Sequence, residues 1–362
     1  MVLSRSHWCW RLLFFLRVSP CLPLQVAPGS AATSAGPHVV VFGAGYVATY
    51  LTPCLRAELP GCRVTIASRN ASRLQELCEA GACDDWLHFV PRGPGLSGGL
   101  DEAGRQCLRS ASHVICTAPP DPGVRVADPF VRCHQGDLFQ VPWLGYLSTT
   151  GVYGDWGGAW VGEDAEPRTT LPRGLLRLEA EREWMALPRK ARAQDLVPPT
   201  VDIFRCAGIY GPGRSALDVV ARAAPHDRAV ESVEGSGDAT VNSAVDGTTN
   251  RFVSRIHVED LCGAVTAAMK RPHEPGATEI WNIADDQPAP RQDVLDFAAD
   301  LLGFGPVSDP GRSSERQRRA EAEHKRVSNT KLKTDLGYAL RYSSFQEGLR
   351  GIAPRASFPK GE

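Results

Sequence analysis

The sequence predicts an α/β fold built on a doubly wound parallel sheet. Short apolar runs of strand length recur along the chain, segments with helical spacing of apolar residues separate them, and the first run leads into a glycine-rich turn. The strand-like runs in the first part of the chain are 39–42, 63–67, 113–117, 143–148 and 200–205. In a sheet of this kind, ligands bind at the carboxyl ends of the strands.

The first apolar run, Val39 to Phe42, is followed directly by Gly43-Ala-Gly-Tyr-Val-Ala48 and a helix-compatible stretch. Gly43 allows a tight turn, Gly45 lets the backbone approach a pyrophosphate, and the helix N-terminus supplies free N–H groups. A second strand follows about 20 residues later, as in dinucleotide-binding units. The pattern therefore predicts a Rossmann-type cofactor site, with a glycine-rich turn that only packs tightly as the alternative.

The second strand ends at Ser68-Arg69-Asn70, where an NAD-selective protein usually presents Asp or Glu to the ribose hydroxyls. A guanidinium can instead bind a 2′-phosphate through paired hydrogen bonds, which favours NADP over NAD. Arg69 as a solvated loop residue is the alternative. The strand 113–117 continues into Ala118-Pro-Pro120, whose loop should lie over the cofactor. The predicted cofactor-binding residues are Gly43, Gly45, Tyr46, Val47, Ala48, Ser68, Arg69, Ala118 and Pro119.

The regular alternation of strand-like and helix-like segments is interrupted after residue 205. The segment 208–214 is typical of a loop, and 226–250 is a polar insertion without clear periodicity. Order resumes with a predicted strand at 252–260, a helix at 261–270, a strand at 281–284 and a helix at 292–302. The basic segment 325–333 is interpreted as a solvated helix start. We therefore predict a dinucleotide-binding domain at 38–205, with the remaining sheet strands and a smaller C-terminal substrate-side subdomain at 206–352.

The first 37 residues contain no Asp or Glu and carry Arg5, Arg11 and Arg17 among several serines. This composition predicts a cleavable targeting peptide for an organelle, a plastid ahead of a mitochondrion, with secretion as the alternative. No uninterrupted apolar run is long enough to span a membrane. The net charge of −1 over 362 residues argues against wholesale nucleic-acid binding. We expect a small-molecule substrate and neither nucleic acid nor membrane as partner.

The chain contains 11 cysteines, an odd number, spread over apolar stretches without zinc-like spacing. Buried reduced thiols are the preferred interpretation, and no metal site is predicted. A redox switch formed by Cys78 and Cys83 is an alternative that their closeness in sequence alone supports.

Four further segments, together with the fingerprint, resemble the extended short-chain dehydrogenase/reductases, the NAD-dependent epimerase/dehydratase group. They are Tyr146-Leu-Ser-Thr-Thr-Gly-Val-Tyr-Gly154, Phe204-Arg-Cys-Ala-Gly-Ile-Tyr-Gly-Pro212, Arg255-Ile-His-Val-Glu-Asp260 and Trp281-Asn-Ile-Ala284. The resemblance implies hydride transfer to or from nicotinamide, a tyrosinate that moves a substrate proton, a lysine that lowers the pKa of that tyrosine, and a Ser or Thr that holds the substrate oxygen. It also implies a possible homodimer through long helices, one of them at 173–184.

The resemblance places Thr149 at the Ser/Thr position, but the Tyr-x-x-x-Lys pair is absent. Arg173 and Arg177 occupy its two positions, one helical turn apart, and no arginine can shuttle a proton near neutral pH. This departure is typical of the atypical members of the group. Tyr153 is the nearest phenol, and a neighbouring arginine could lower its pKa. Packing in the Val-Tyr-Gly turn is the alternative role for Tyr153. The candidate catalytic residues are Thr149, Tyr153, Arg173 and Arg177.

Other residues have two interpretations each. Arg205 and Arg214 flank the loop that covers nicotinamide and substrate in the family, so they either bind an anionic group or serve as structural ion-pair partners. Arg255 either neighbours a substrate phosphate or braces its strand, and His257 is interpreted as a core histidine. The sequence predicts an NAD(P)-dependent oxidoreductase or epimerase/dehydratase-like protein for a small polar or anionic substrate. The alternative is a catalytically silent NADP-binding scaffold or regulatory protein.

Overall fold

The structure is a computed structural model that describes residues 36–90, 98–120, 128–223, 251–305 and 323–353. The chain divides into two compact units, residues 1–35 and 36–362, and every described residue belongs to the second. The predicted targeting peptide, apart from residues 36 and 37, and the predicted polar insertion at 226–250 lie outside the described residues.

A parallel sheet of seven strands forms the centre of this unit. Its strands are β1 (His38–Phe42), β2 (Arg63–Ser68), β3 (Asp85–His88), β4 (His113–Cys116), β5 (Trp143–Thr149), β7 (Thr200–Cys206) and β11 (Thr278–Ile283). They lie in the order β3-β2-β1-β4-β5-β7-β11, and Val39 of β1 pairs with Val64 on one side and His113 on the other. The strand order reverses between β1 and β4, so a ligand site is expected at the carboxyl ends of these two strands. The predicted fold class is confirmed.

Six short strands pair outside the central sheet. They are β6 (Trp160–Val161), β8 (Gly208–Tyr210), β9 (Phe252–Val253), β10 (Arg255–His257), β12 (Ala289–Pro290) and β13 (Arg326–Val327). β8 pairs with β10, β9 with β12, and β6 with β13. Each of these strands either follows the carboxyl end of β5, β7 or β11 along the chain or pairs with a strand that does.

Helices cover both faces of the sheet. They are α1 (Tyr46–Glu58), α2 (Ala71–Glu79), α3 (Glu102–Arg109), α4 (Pro129–Leu138), α5 (Pro172–Arg192), α6 (Ala216–Ala223), α7 (Val258–Lys270), α8 (Arg291–Leu301), α9 (Thr330–Thr334) and α10 (Phe345–Ile352), with a 3₁₀ turn at Thr150–Tyr153. Along β1, Val39 and Val41 enter the apolar layer under α1 and α7, whereas Val40 and Phe42 enter the opposite layer. Both faces of the strand are therefore buried, as its continuous apolar run predicts.

The structure corrects two local predictions and adds a strand that was not predicted. The segment 252–260 is not one strand, since it holds β9 and β10 and α7 already begins at Val258. The edge strand β3 was not predicted, because Asp-Trp-Leu-His has no clear strand pattern and only its Leu87 is even half-buried. The segment 325–333 is not a solvated helix start, because Lys325 is only 6% exposed and β13 pairs with β6 before the short α9 begins.

A smaller apolar cluster joins α6, α8 and α10 and includes Tyr210, Leu295 and Phe345. The boundary predicted at 205/206 falls inside β7, one residue before the strand ends, and β11 later returns to the sheet edge beside β7. Within the described ranges, no helix is both long and apolar enough to cross a membrane. The nine cysteines that the structure describes are all free thiols.

Candidate functional site

The turn after β1 has the shape that a bound pyrophosphate requires. Gly43 has φ +124°, and a Cβ there would lie 2.3 Å from Thr117 Oγ1, so the position accepts only glycine. Gly45 precedes α1 in an extended conformation, and a Cβ there would meet no atom within 4 Å. The space in front of Gly45 is thus open, and the first-turn N–H groups of α1 point toward it. Because that first turn contains no acidic residue, the cradle fits a dinucleotide.

The other predicted residues of the fingerprint have separate roles. Ala48 is fully buried against the sheet, and Val47 is half-buried. The Tyr46 hydroxyl donates a hydrogen bond to the Pro212 carbonyl at 3.2 Å, and the Arg214 guanidinium carbon lies 5.4 Å from the Tyr46 ring centroid. The cofactor cradle is therefore tied to the loop after β8.

The end of β2 carries Arg69 in the segment Ser68-Arg69-Asn70, which contains no acidic residue. Arg69 is exposed, and its carbonyl lies 3.2 Å from His88 Nε2. Ser68 Oγ accepts the Asn70 N–H at 3.3 Å, and Asn70 caps α2 by accepting the Arg73 N–H at 3.0 Å. No acidic residue lies in the first turn of α2. A helix N-terminus beside an exposed guanidinium suits a phosphate group.

The chain after β4 stays close to the glycine turn. The N–H groups of Thr117 and Ala118 both donate to the Phe42 carbonyl, at 2.8 Å and 3.2 Å. Ala118 is half-buried and Pro119 is exposed. The structure therefore brings Ala118 and Pro119 to the same sheet edge as Gly43, where the sequence predicts the cofactor.

Thr149 ends β5 with a hydroxyl that can still donate a proton. Its Oγ1 accepts the Gly151 N–H at 3.1 Å, and the residue is half-buried. Arg177 of α5 donates to the Leu147 carbonyl and lies 3.5 Å from the Tyr146 hydroxyl. Arg173 is exposed in the first turn of the same helix. Arg177 therefore keeps positive charge at the end of β5, because it binds a backbone carbonyl there and not a carboxylate.

The suggestion that a neighbouring arginine makes Tyr153 an acid/base is wrong. Tyr153 is fully buried, and its hydroxyl donates to Asn282 Oδ1 at 2.7 Å. The arginine beside it is Arg205, 4.8 Å from the ring centroid, and not Arg173 or Arg177. Burial raises the pKa of Tyr153 to about 12, and Arg205 only partly opposes this effect. Tyr153 has the structural role that packing in the turn predicts.

Replacing Tyr153 by Phe should therefore leave cofactor binding and any turnover unchanged. The variant leaves Asn282 Oδ1 without its donor in a buried site, which costs about 1–3 kcal/mol of unfolding free energy. Urea titration measures the cost, and NADPH calorimetry checks the site. A loss of binding or turnover with unchanged stability would assign Tyr153 to the chemistry instead.

Arg205 is a structural ion-pair partner rather than a ligand for an anion. Its Nη2 lies 2.9 Å from the carboxylate of Glu181 on α5, and the two side chains are 4% and 0% exposed. Ser148 at the end of β5 donates to the same carboxylate. The pair joins α5 to β7, and the Ser148 contact adds the end of β5 to the same cluster.

A cavity of about 440 Å³ opens beside the loop after β8. Its charged lining residues are Arg214, Arg222, Arg255 and Arg291, and its apolar walls include Ile209, Val219, Val294, Leu295, Phe345 and Leu349. Among the described residues that line it, none is acidic. An apolar floor with a cationic rim suits a ligand that joins an anionic group to an apolar or planar one.

Arg255 braces its strand, because its Nη1 atom bridges β9 and β12, and its side chain also lines the cavity. That atom donates to the Val253 carbonyl at 2.8 Å and the Ala289 carbonyl at 2.9 Å. His257 is fully buried, and burial lowers its pKa to about 4, so it is neutral as a core histidine. Arg214 contributes to the cavity, unlike Arg205.

Sequence reasoning missed Glu323, Arg222 and Arg291. Glu323 Oε1 and Thr149 Oγ1 both lie close to Gly151, since a Cβ built on this glycine would be 3.2 Å from the first and 3.3 Å from the second. A carboxylate from the far end of the chain therefore lies near the hydroxyl that is predicted to hold the substrate. Glu323 is half-buried. No local signal marks any of these residues, because only β13 pairing and helix packing bring them to the site. No cluster of metal-ligand type occurs in the parts of the chain that the structure describes.

Sequence comparison with known proteins finds partial relatives. No family model matches the sequence. The protein YeeZ of Escherichia coli K12 is 27% identical over 167 residues, which is 46% of this chain and 48% of YeeZ. The chain thus spans about half the length of the curated relatives it matches.

Solved structures match over most of the chain. MoeE5 in complex with UDP-glucuronic acid and NAD has a TM-score of 0.62 at 22% identity, covering 86% of this chain and 96% of MoeE5. The dTDP-glucose 4,6-dehydratase DesIV of Streptomyces venezuelae, with NAD and TYD bound, has a TM-score of 0.63 at 16% identity, covering 87% and 95%. The chain therefore has the fold of the extended short-chain dehydrogenase/reductases, the NAD-dependent epimerase/dehydratase group, which confirms the resemblance drawn from its motifs.

A functionally unknown conserved protein from Silicibacter pomeroyi DSS is nearer in sequence. It is 31% identical, with a TM-score of 0.64 over 89% of this chain and 100% of that protein. The chain belongs to the same family as this bacterial protein.

Proposed function

We propose that the protein is an NADP-dependent oxidoreductase or epimerase that acts on a small substrate carrying a phosphate or diphosphate. The arginine-rimmed cavity beside the dinucleotide cradle is the observation that carries this proposal. Arg214 belongs to both features, since it lies over Tyr46 of the fingerprint and also lines the cavity. The fold relatives MoeE5, solved with UDP-glucuronic acid and NAD, and DesIV, solved with NAD and TYD, support the same class of ligands.

The cofactor would be held at its pyrophosphate by the turn 43–45 and the first N–H groups of α1, and at its adenosine end by Ser68 and Arg69. When bound, the nicotinamide supplies a hydride acceptor or donor. The lack of an acidic residue in Ser68-Arg69-Asn70 and in the first turn of α2 favours the 2′-phosphate of NADP.

The chain's own groups would handle the substrate oxygen and its proton. The Thr149 hydroxyl can donate to that oxygen, because its own lone pair already accepts the Gly151 N–H. The Glu323 carboxylate, across Gly151 from Thr149, is placed to take or return the proton. Arg177 contributes positive charge that stabilises an oxyanion at the same edge.

Replacing Arg69 by Ala should weaken NADPH binding about 10- to 100-fold and leave NADH binding within about twofold, because one bidentate phosphate contact contributes about 1.5–3 kcal/mol. Calorimetry on the chain from residue 36 onward measures both affinities. Arg73→Ala is a matched control, since the Arg73 side chain is engaged with Glu76 at 2.9 Å. Equal losses for both cofactors would contradict the assignment of Arg69 to the 2′-phosphate.

Turnover tests the enzyme assignment directly. The protein loaded with NADP or NADPH is incubated with a panel of UDP- and dTDP-sugars, and nicotinamide absorbance and sugar products are followed. We expect turnover with at least one diphosphate sugar, lost in Glu323→Gln and kept in Glu166→Gln, a substitution of an exposed glutamate. NADPH binding without turnover on any anionic substrate would contradict it.

A catalytically silent NADP-binding protein is the second candidate, because arginines hold both catalytic positions and Tyr153 is buried. In that case NADPH binding alters the interaction of the protein with a partner, and no substrate is converted. A pull-down that depends on NADPH, together with the absence of turnover, identifies this function.

We also propose a homodimer and organelle import, preferably into a plastid. Leu175 of α5 is 49% exposed, which is consistent with a helix face that pairs with a second copy. Sedimentation of Leu175→Glu tests the dimer, since a charge there should give monomers. Sequencing of the mature N-terminus tests removal of residues 1–37.

A further inference from the structure

Asp285 is a buried carboxyl group behind the arginine-rimmed cavity. It follows β11, is 1% exposed, and its N–H donates to the Arg255 carbonyl at 2.7 Å. Its Oδ1 accepts the Gln287 N–H at 3.2 Å, whereas Oδ2 has no hydrogen-bond partner among the described residues. A buried carboxylate with one oxygen unsatisfied is costly, which favours its protonated form.

The groups around Asp285 are mixed in charge. The groups that interact electrostatically with Asp285 or with Arg255 are Tyr210 of β8, Asp260 of α7, the next residue Asp286, and Arg291 and Asp293 of α8. Burial raises the pKa of Asp285 to about 8, and the Gln287 N–H and Arg255 only partly oppose it. The carboxyl therefore changes charge near neutral pH instead of near pH 4.

Arg255 links this carboxyl to the cavity. Its Nη1 donates to two carbonyls, those of Val253 and Ala289, so these contacts do not neutralise its charge. The same side chain lines the cavity, whereas Asp285 does not. The Asp285 carboxyl group therefore interacts electrostatically with the guanidinium of Arg255, and a ligand anion in the cavity would meet the same guanidinium.

We infer that Asp285 controls, through its own protonation, how tightly the cavity holds a dianionic ligand. This inference rests on the proposed function, which assigns the cavity to the anionic part of the substrate. With Asp285 protonated, the full charge of Arg255 acts on the ligand. With Asp285 ionised, the carboxylate attracts the same guanidinium and repels the ligand, so binding requires uptake of one proton. Asp285 is thus a positioning residue that acts through Arg255.

The test measures binding of UDP-glucose by calorimetry to the full chain, because the diphosphate diester keeps two negative charges throughout the pH range used. The wild-type affinity should fall about tenfold between pH 7 and pH 9, whereas Asp285→Asn should keep its affinity at both pH values. Asp286→Asn, which neutralises the exposed neighbour, should follow the wild type. At pH 9 the wild type should show a buffer-dependent heat of proton uptake that Asp285→Asn lacks.

Each outcome has a distinct meaning. Binding with the same pH profile in wild type and Asp285→Asn overturns the inference and leaves the cavity assignment intact. If neither UDP-glucose nor inorganic sulfate binds at any pH, the cavity assignment of the proposed function fails and the inference fails with it.

Unfolding without ligand gives an independent measurement of the buried proton. The folded pKa lies above the unfolded value, so wild-type stability should decline relative to Asp285→Asn as pH rises from about 4 to about 8. Parallel stability profiles in the two proteins would show that Asp285 is ionised in the folded state, which also overturns the inference.

Discussion

A valine at Gly45 should abolish dinucleotide binding while the fold survives. A Cβ at Gly45 meets no atom within 4 Å, and its extended conformation, φ −90° and ψ −169°, is one that valine adopts readily. The branched side chain would fill the space where a pyrophosphate approaches the backbone. Since each charge-assisted hydrogen bond lost costs about 1.5–3 kcal/mol, we expect a loss of at least about 100-fold in NADPH affinity, measured by calorimetry.

Two further variants separate binding from folding. Gly136→Ala in α4 also meets open space and should bind NADPH like the wild type. Gly43→Ala should instead lower the unfolding free energy, because the residue has φ +124° and its Cβ would lie 2.3 Å from Thr117 Oγ1. NADPH affinity unchanged in Gly45→Val would exclude a cofactor at this turn.

Removing the Glu181 carboxylate should destabilise the fold by about 3–5 kcal/mol, because Arg205 would remain as a buried charge without its partner. Arg205 is 3% exposed, and the Ser148 hydroxyl loses its acceptor in the same change. Urea unfolding of Glu181→Ala measures the loss. If the proposed function holds, turnover should also fall at temperatures where the fold itself is still intact, because the pair joins α5 to β7.

An exposed pair of the same chemistry is the matched control. Arg73 and Glu76 lie 2.9 Å apart, the same separation as Arg205 and Glu181, but are 43% and 63% exposed. Glu76→Ala should therefore cost less than about 1 kcal/mol. The double replacement Glu181→Leu with Arg205→Met should recover much of the loss, because it removes both buried charges. Similar losses in Glu181→Ala and Glu76→Ala would show that burial does not govern the effect.

Much of the sheet could be predicted from local pattern. Five observed strands coincide with predicted apolar runs to within one residue at each end. These runs are 39–42, 63–67, 113–117, 143–148 and 200–205. These strands are buried on both faces, so their apolar character is continuous and visible along the chain. The edge strand β3 and the short strands β9 and β10 were missed or merged, because a half-exposed or very short strand has no such pattern.

The residues of the candidate site likewise include some that local pattern predicts and others that it does not. Residue type and spacing over a few positions are enough to predict the sheet, the glycine turn and the arginines at 173 and 177. The pairing of Arg205 with Glu181, the burial of Tyr153 against Asn282 and the approach of Glu323 to the end of β5 become visible only in the folded chain. Burial and pairing between distant residues set charge and protonation, and they depend on how segments more than 20 residues apart pack together.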